Sequence, residues 1–381
     1  MKQKRCIFHI PNAIDSGGTS GSQVRPKRMQ KAFEEIGYQV DIIIGNNQQR
    51  KQAINDIKKK IKAGVEYDFM YSESSTMPTL LTDPGHFPTH PFMDFGLMRL
   101  CRKNNIKVGL FYRDVHWKFQ DYRKAVPWYQ KMITIPMYWY DLHMYNRCLD
   151  VLFLTCDRVK KHVRKNIRPV VAALPPGAVY DGQIVKERQE YFSQGRKKKI
   201  RLFYVGGLSG SGGLYDFIMP LKVLKDKENV EITFCCREKE WQNLKDEYTP
   251  YLTERVHVVH KSGEELRELY LNCDISMCYF RHTVYRHMSM PIKTFECLGY
   301  VTPNIETIGT ASGDFVKENG VGWSIPYEEE AFSELIDQLA GNYNEIVDKH
   351  KSAIECLRKN TWATRAERVA QILSRGKKGT K

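Results

Sequence analysis

Lys293 and Glu296 stand three residues apart in the segment Tyr285-Arg286-His287-Met288-Ser289-Met290-Pro291-Ile292-Lys293-Thr294-Phe295-Glu296-Cys297-Leu298-Gly299, so a helix there puts both on one face. Pro291 suits the first turn of such a helix and Gly299 its end. A helix N-terminus offers unpaired N–H groups and the positive end of a dipole; with Lys293 beside it, it can hold a diphosphate. Glu296 could then accept both hydroxyls of a ribose, although a solvated carboxylate on an ordinary helix reads the same way. Two glycine-rich loops offer a second kind of anion cradle. One covers residues 16–22, with Gly18, Thr19 and Gly21; the other covers 206–213 and begins Gly206-Gly207. Neither is a dinucleotide fingerprint or a P-loop. A third group is Arg113-Asp114-Val115-His116-Trp117. At the carboxyl end of a strand, Asp114 or His116 could orient a hydroxyl or contact a sugar, while a helix-capping Asp114 and a packed His116 are the structural alternative. Tyr71, Glu73 and Ser74 end another strand and are weaker candidates.

Short apolar runs alternating with helical patterns must position these groups. Strands are expected at 6–11, 40–44, 67–71, 108–112, 151–155 and 170–174, and again at 201–205, 230–235, 255–259, 275–279, 301–305 and 323–325. After the first glycine loop Met29, Ala32, Phe33 and Ile36 recur at helical spacing, with Pro26 in the opening turn and Gly37 as the stop. The alternation predicts α/β units with parallel sheets. It divides the chain into a first Rossmann-like domain at 1–175, a linker at 176–199 ending in a run of Arg and Lys, a second Rossmann-like domain at 200–355, and a C-terminal helix with a basic tail at 356–381.

The 381 residues include 42% apolar and 12% aromatic, which excludes disordered, collagenous and mini-protein classes. Lys and Arg number 59 against 44 Asp and Glu, a formal charge of +15. Residues 1–180 hold 29 basic and 15 acidic side chains, and residues 181–381 hold 30 and 29. An anionic partner is therefore expected for the first half alone. The ten cysteines show no CxxC pair and no zinc spacing, so no metal site is expected. No apolar run is long enough to span a bilayer and none reads as an export signal, which points to the cytoplasm. Residues 125–150, dense in Trp, Tyr and Met with Lys131 and Arg147, have the composition of a membrane-facing surface or of an aromatic core.

One donor-like segment and six further pieces in order resemble the GT-B glycosyltransferases, particularly the retaining family 4 group. "MPIKTFECLGYVTPNI" is similar to that family's Pro-x-Lys-x-Phe-Glu-Tyr-x-x-x-Gly-x-Pro-Val-Ile donor segment. "GGTSGSQVRPKRMQKAFEEIGYQVDII" is similar to its first loop and helix. "AALPPGAV", "LFYVGGLSGSGGL", "LRELYLNCDISMCY" with "GTASGDFVKENGVGWSIP", and "TWATRAERVAQIL" resemble later parts, the last being a helix that returns toward the first domain. The resemblance implies a GT-B fold, two Rossmann-like domains facing a central cleft. It implies Glu296 on the ribose, with Ser289, Met290 and Lys293 at the diphosphate and Phe295 within the same motif. Tyr279 and Phe280 would line the sugar pocket, and the loop carrying Gly18, Thr19 and Gly21 would close from the other side. The sequence departs from the family at two places. Met288 stands where a second Glu is usual, and Gly207 stands where an Arg is usual after Gly206. Lys293, Arg286, Arg281 and Arg237 are the substitutes for the missing clamp, and His260 lies near the expected base position.

The activity so implied is transfer of a sugar from a nucleotide-sugar donor to a glycan or lipid-diphosphate acceptor, with retention, in bacterial surface polysaccharide synthesis. Contact with the inner membrane surface would run through the basic half. No Asp-x-Asp is present, so the leaving diphosphate would be met by helix N–H groups and cations, with no metal and no cofactor required. Lys293 and Arg286 are the first choices for that role, with Asp114 and His116 beside them as catalytic candidates. A GT-B-like epimerase and a degenerate transferase share this reading. A basic nucleic-acid-binding protein is less well supported, because no nucleic-acid motif is present.

Overall fold

A computed structural model describes residues 3–14, 21–83, 85–163, 165–195, 199–208 and 217–374, apart from the side chain of Asp121. The chain forms two compact units: one of Met1–Pro176 with Trp362–Lys381, the other of Gly177–Thr361.

In the first unit the strands are β1 (Arg5–His9), β2 (Gln39–Ile43), β3 (Phe69–Glu73), β4 (Lys107–Phe111), β5 (Val151–Leu154) and β6 (Val170–Ala173). They form one parallel sheet in the order β2-β1-β3-β4-β5-β6. Its helices are α1 (Gly21–Glu35), α2 (Asn47–Lys62), α3 (Met93–Lys103), α4 (Gln120–Ala125), α5 (Trp128–Cys148) and α6 (Lys160–Val163). In the second unit β7 (Ile200–Val205), β8 (Val230–Cys235), β9 (Val256–Val259), β10 (Ile275–Cys278), β11 (Asn304–Thr307) and β12 (Gly322–Ile325) form a parallel sheet ordered β12-β11-β10-β7-β8-β9. Its helices are α7 (Gly182–Ser193), α8 (Ile218–Leu224), α9 (Glu238–Tyr248), α10 (Leu266–Leu271), α11 (Ile292–Gly299), α12 (Ala311–Glu318), α13 (Glu329–Gly341) and α14 (Tyr343–Lys359). The last helix, α15 (Trp362–Ser374), belongs to the first unit, where it packs on α1 and beside β3 and β4.

Helices cover both faces of each sheet, which is why the strands read as short, nearly continuous apolar runs. On one face of the first sheet Cys6, Phe8, Phe69, Tyr71 and Phe153 pack with Phe33 of α1 and Trp362, Val369 and Leu373 of α15. Gly109 of β4 lets α15 approach, because a Cβ there would lie 2.9 Å from a methyl of Leu373. In the second unit Leu202, Tyr204, Ile232, Phe234, Met277 and Ile305 form the corresponding core.

Three sequence expectations need correction. The stretch 176–199 is not an open linker. Its centre is α7, capped by Asp181 and anchored in the second unit by Arg188 and Phe192, both buried; Arg188 donates to Leu271 O at 2.7 Å and to Thr302 Oγ1 at 3.2 Å. The C-terminal segment divides at residue 362 rather than 356, since Cys356 is part of α14 and of a second-unit core. The strand expected at 301–305 begins only at Asn304. Before it, Gly299 is the last residue of α11 rather than its stop, and Val301 takes the left-handed conformation, φ +45°. Thr302 N donates to Cys297 O at 3.0 Å and Val301 N to Leu298 O at 2.9 Å, the paired bonds of a Schellman ending. That position ordinarily takes glycine, and the family pattern quoted above has glycine there. Val301 holds it because its side chain is fully buried in the core beside Leu298 and Val316. His350 Nδ1 also lies 2.8 Å from the Val301 carbonyl.

Candidate functional site

In each sheet the chain runs outward in both directions from the first strand, so the topological switch lies between β1 and β3 in one unit and between β7 and β10 in the other. The carboxyl ends of those strands are where an open α/β sheet binds ligands.

In the second unit the β7 end is Val205-Gly206-Gly207. Gly206 N donates to Cys235 O at 2.9 Å, and Tyr204 Oη donates to Gly207 O at 2.6 Å. The ammonium of Lys293 occupies the space beside Gly206 where any side chain would begin, 5.5 Å from the centre of the Tyr204 ring. No hydrogen bond or ion pair among the described residues holds that ammonium. Burial pushes it below the ordinary lysine range; Arg237 acts in the same direction, and Cys278, Glu296 and Cys297 oppose. Lys293 and Glu296 share a face of α11, whose N-cap residue, Pro291, gives no side-chain bond to the first N–H groups. A cation with no partner among the described residues, a helix N-terminus without a side-chain cap and a carboxylate one turn on therefore lie together near the end of β7.

The other expected residues separate into two groups. Arg237 is exposed at the start of α9. Phe280 follows β10 with its N–H on Thr307 Oγ1 at 2.9 Å, and Arg286 lies over its ring at 4.6 Å. Arg286 also donates to Arg281 O at 3.0 Å, which commits part of its guanidinium to the loop. Ser289 and Met290 are half-buried before Pro291. Tyr279 is not a pocket wall. It is fully buried, its hydroxyl donates to Pro326 O, and its ring stacks on Phe332 at 5.4 Å. Phe295 is likewise core, packed on Phe315. His260 is turned toward the end of β8, with Nδ1 2.9 Å from Cys236 O.

Glu306 was missed by sequence reading. It lies on β11 beside Cys278 of β10 and is buried. Its Oε1 accepts from Thr294 Oγ1 at 2.6 Å and Asn304 Nδ2 at 2.8 Å, and its Oε2 accepts from Ser312 Oγ at 2.8 Å. Burial pushes its carboxyl up to about 7 in spite of these donors. A carboxyl raised on folding takes up a proton, so its contribution to stability is complete below the ordinary value of 4.5 and is lost as pH rises through 7. Glu306→Gln removes that loss. Relative to wild type it is expected to gain about 2 kcal/mol between pH 5.5 and 8.5, read from urea midpoints at the two pH values.

In the first unit the β3 end brings together Glu73, Arg25 of α1 and Arg113. Glu73 is fully buried. Its Oε1 lies 3.3 Å from Arg25 Nε and accepts from Tyr71 Oη at 3.0 Å; its Oε2 accepts from Arg113 Nη2 at 3.1 Å. Arg25 Cζ lies over the Phe111 ring, 3.5 Å from its centre, and Arg113 reaches Gly21 O at 3.5 Å and Ser74 O at 3.1 Å. Glu73 thus pairs with two guanidinium groups, and Asp114 adds a second negative charge near Arg113. Asp114 accepts from His116 N at 2.9 Å in a tight turn, and the His116 ring packs edge-on against Tyr122 and Tyr138. Gly18 and Thr19 lie outside the described residues; Gly21 is the first residue of α1.

His9 Nδ1 lies 2.8 Å from Ser72 Oγ, and His9 Nε2 lies 2.9 Å from Asp94 Oδ1. This has the order of a nucleophilic triad, but Ser72 and His9 are fully buried, and Arg50 shares Asp94 at 3.2 Å. It ties β1, β3, α2 and α3 together. A shallow hollow of about 450 Å³ lined by Arg102, Asn146, Asp150 and Arg168 opens at the amino ends of β5 and β6, away from both switch points. Among the described residues, no three His, Cys, Asp or Glu side chains are grouped to hold a metal, and no helix is long and apolar enough to cross a membrane.

No family model and no curated protein matches the chain. Solved structures do. A glycosyltransferase from Rickettsia africae aligns over 99% of this chain and 100% of its own with a TM-score of 0.63 and 11% identity. HepE from Anabaena, solved with UDP and glucose, aligns over 97% and 99% with a TM-score of 0.61 and 12% identity. The chain has the GT-B fold. WaaG, a glycosyltransferase involved in lipopolysaccharide biosynthesis, is a further GT-B structure similar to it, over 97% and 100% with a TM-score of 0.60 and 14% identity. Within GT-B architecture the β7–β10 switch belongs to the second unit and the Glu73 cluster to the first.

Proposed function

We propose that the chain is a glycosyltransferase that moves a sugar from a nucleotide-sugar donor to a glycan or lipid-diphosphate acceptor. The observation that carries this is the Lys293 ammonium beside Gly206, unpartnered among the described residues, with the N-terminus of α11, which has no side-chain cap, and Glu296 next to it. A nucleoside diphosphate matches these groups: anionic oxygens for Lys293 and the N-terminus of α11, and ribose hydroxyls that Glu296 can accept. As the bond from sugar to diphosphate breaks, charge grows on the diphosphate. A cation already fixed and partly desolvated stabilises that charge more than it stabilises the bound donor.

In this reading Lys293 takes the place of the clamp that Gly207 has lost, without a metal ion and with retention at the sugar carbon. Arg237 and Arg286 are auxiliary. In the first unit, the guanidinium groups of Arg25 and Arg113 around Glu73 and the turn of Asp114 and His116 serve the acceptor. The charge asymmetry favours an acceptor on a lipid diphosphate carrier at the inner membrane face, in surface polysaccharide synthesis. HepE, solved with UDP and glucose, makes a uridine nucleotide the first donor to try.

The test is nucleotide release from a panel of sugar nucleotides, with and without lipid-diphosphate acceptors. Transfer predicts release that depends on the acceptor. Conversion of the donor sugar without nucleotide release would instead identify an epimerase.

A further inference from the structure

The first three turns of α5 are inside out. Trp128, Tyr129, Met132 and Ile133 are 70%, 55%, 68% and 55% exposed, and at 100° per residue they fall on one side of the helix with Pro136 and Trp139. Gln130 is exposed, but two other polar residues of the same turns are held by the protein: Lys131 Nζ donates to Arg123 O at 2.7 Å, and Thr134 Oγ1 lies 2.8 Å from Tyr122 Oη. After Pro136 the helix becomes conventional, with Tyr138, Leu142 and Tyr145 buried. A contiguous apolar face held outward by polar contacts on its inner side marks an interaction surface.

Basic side chains surround it. Residues 115–168 hold eleven Lys and Arg against four Asp and Glu, and one of the four, Asp141, is buried. Arg123 and Lys124 are exposed in the last turn of α4, immediately before α5. At the other end Lys118 lies 4.4 Å from the Trp139 ring and donates to Val163 O at 2.8 Å, which brings α6 and its exposed Lys160 and Lys161 alongside.

We propose that the first unit docks on an anionic phospholipid bilayer through this face, with the α5 aromatic and aliphatic side chains entering the boundary between headgroups and acyl chains and the flanking lysines and arginines on the phosphates. Aromatic and aliphatic groups ringed by cations suit that boundary. The inference deepens the lipid-borne acceptor of the proposed function by naming the surface that reaches the lipid.

Co-sedimentation with phosphatidylcholine vesicles, with and without a third of phosphatidylglycerol, tests it. Wild type is expected to sediment with the anionic vesicles, and the triple variant Trp128→Ser, Met132→Ser, Ile133→Ser to lose about tenfold or more in partition. Lys124→Glu with Lys160→Glu is expected to weaken binding and flatten its dependence on salt. The melting shift with UDP, read on the same preparations, keeps donor binding apart: failure of vesicle binding with the UDP shift intact overturns the docking alone. The proposal is also overturned if the triple variant partitions like wild type. A lipid-free wild-type dimer that the triple variant converts to monomer would assign the face to a second copy and overturn it as well.

Discussion

Lys293→Ala is expected to lower kcat by about 10²–10³-fold, with a smaller change in KM. The argument rests on where the ammonium is held. It stands against the backbone of Gly206 with no hydrogen-bonding partner among the described residues, and burial keeps it below the ordinary lysine range. Such a group gains most when negative charge arrives, and more as that charge grows in the transition state. Arg286→Ala is expected to stay within about tenfold, because that guanidinium is partly committed to Arg281 O and the Phe280 ring. Gly206→Ala provides an internal check. Its methyl would occupy the place of the Lys293 ammonium, so it should lower kcat in the same direction without removing the charge. Steady-state rates of nucleotide release for the three variants decide the matter. Equal turnover by wild type and Lys293→Ala would remove Lys293 from the mechanism.

The largest expected effect on stability is at Glu73. Glu73→Ala removes the buried carboxylate that pairs with both Arg25 and Arg113 and is expected to cost about 3–5 kcal/mol. The pairing itself is not what stabilises the fold. Desolvating three charges offsets most of their attraction, and the penalty comes from leaving two guanidinium groups uncompensated. Adding Arg113→Met to Glu73→Ala should therefore recover part of the loss. Urea unfolding of the two variants measures this, with the first unit followed by protease protection, since a chain of two units need not unfold in one step. A double variant less stable than Glu73→Ala would contradict the account.

The strands were legible because parallel sheets covered on both faces leave uninterrupted apolar runs, and each of the twelve expected runs overlaps an observed strand. The ends of elements were less legible. Gly299 looked like a helix stop, yet the left-handed residue is Val301, held by core packing that no local pattern shows. The polar stretch 176–199 read as a linker because its anchors, Arg188 and Phe192, bind residues more than eighty positions away. The shared face of Lys293 and Glu296 on α11 was legible from helical spacing alone. Tyr279 and Phe295 were not, since an aromatic residue at the end of a strand or inside a helix has the same sequence whether it lines a pocket or fills a core. The Arg25–Glu73–Arg113 cluster and Glu306 were also out of reach, because their partners come from different strands and helices.

The central claim is that the second unit holds a nucleotide through α11 and the loop after β7. Calorimetric titration of wild type and Glu296→Ala with UDP, GDP, dTDP, CMP and ADP tests it most directly. The account predicts that one of these nucleotides binds wild type and that its affinity falls at least tenfold in Glu296→Ala, about 1.4 kcal/mol. Equal affinities for that nucleotide in both proteins, or no binding of any of the five to wild type, would contradict it.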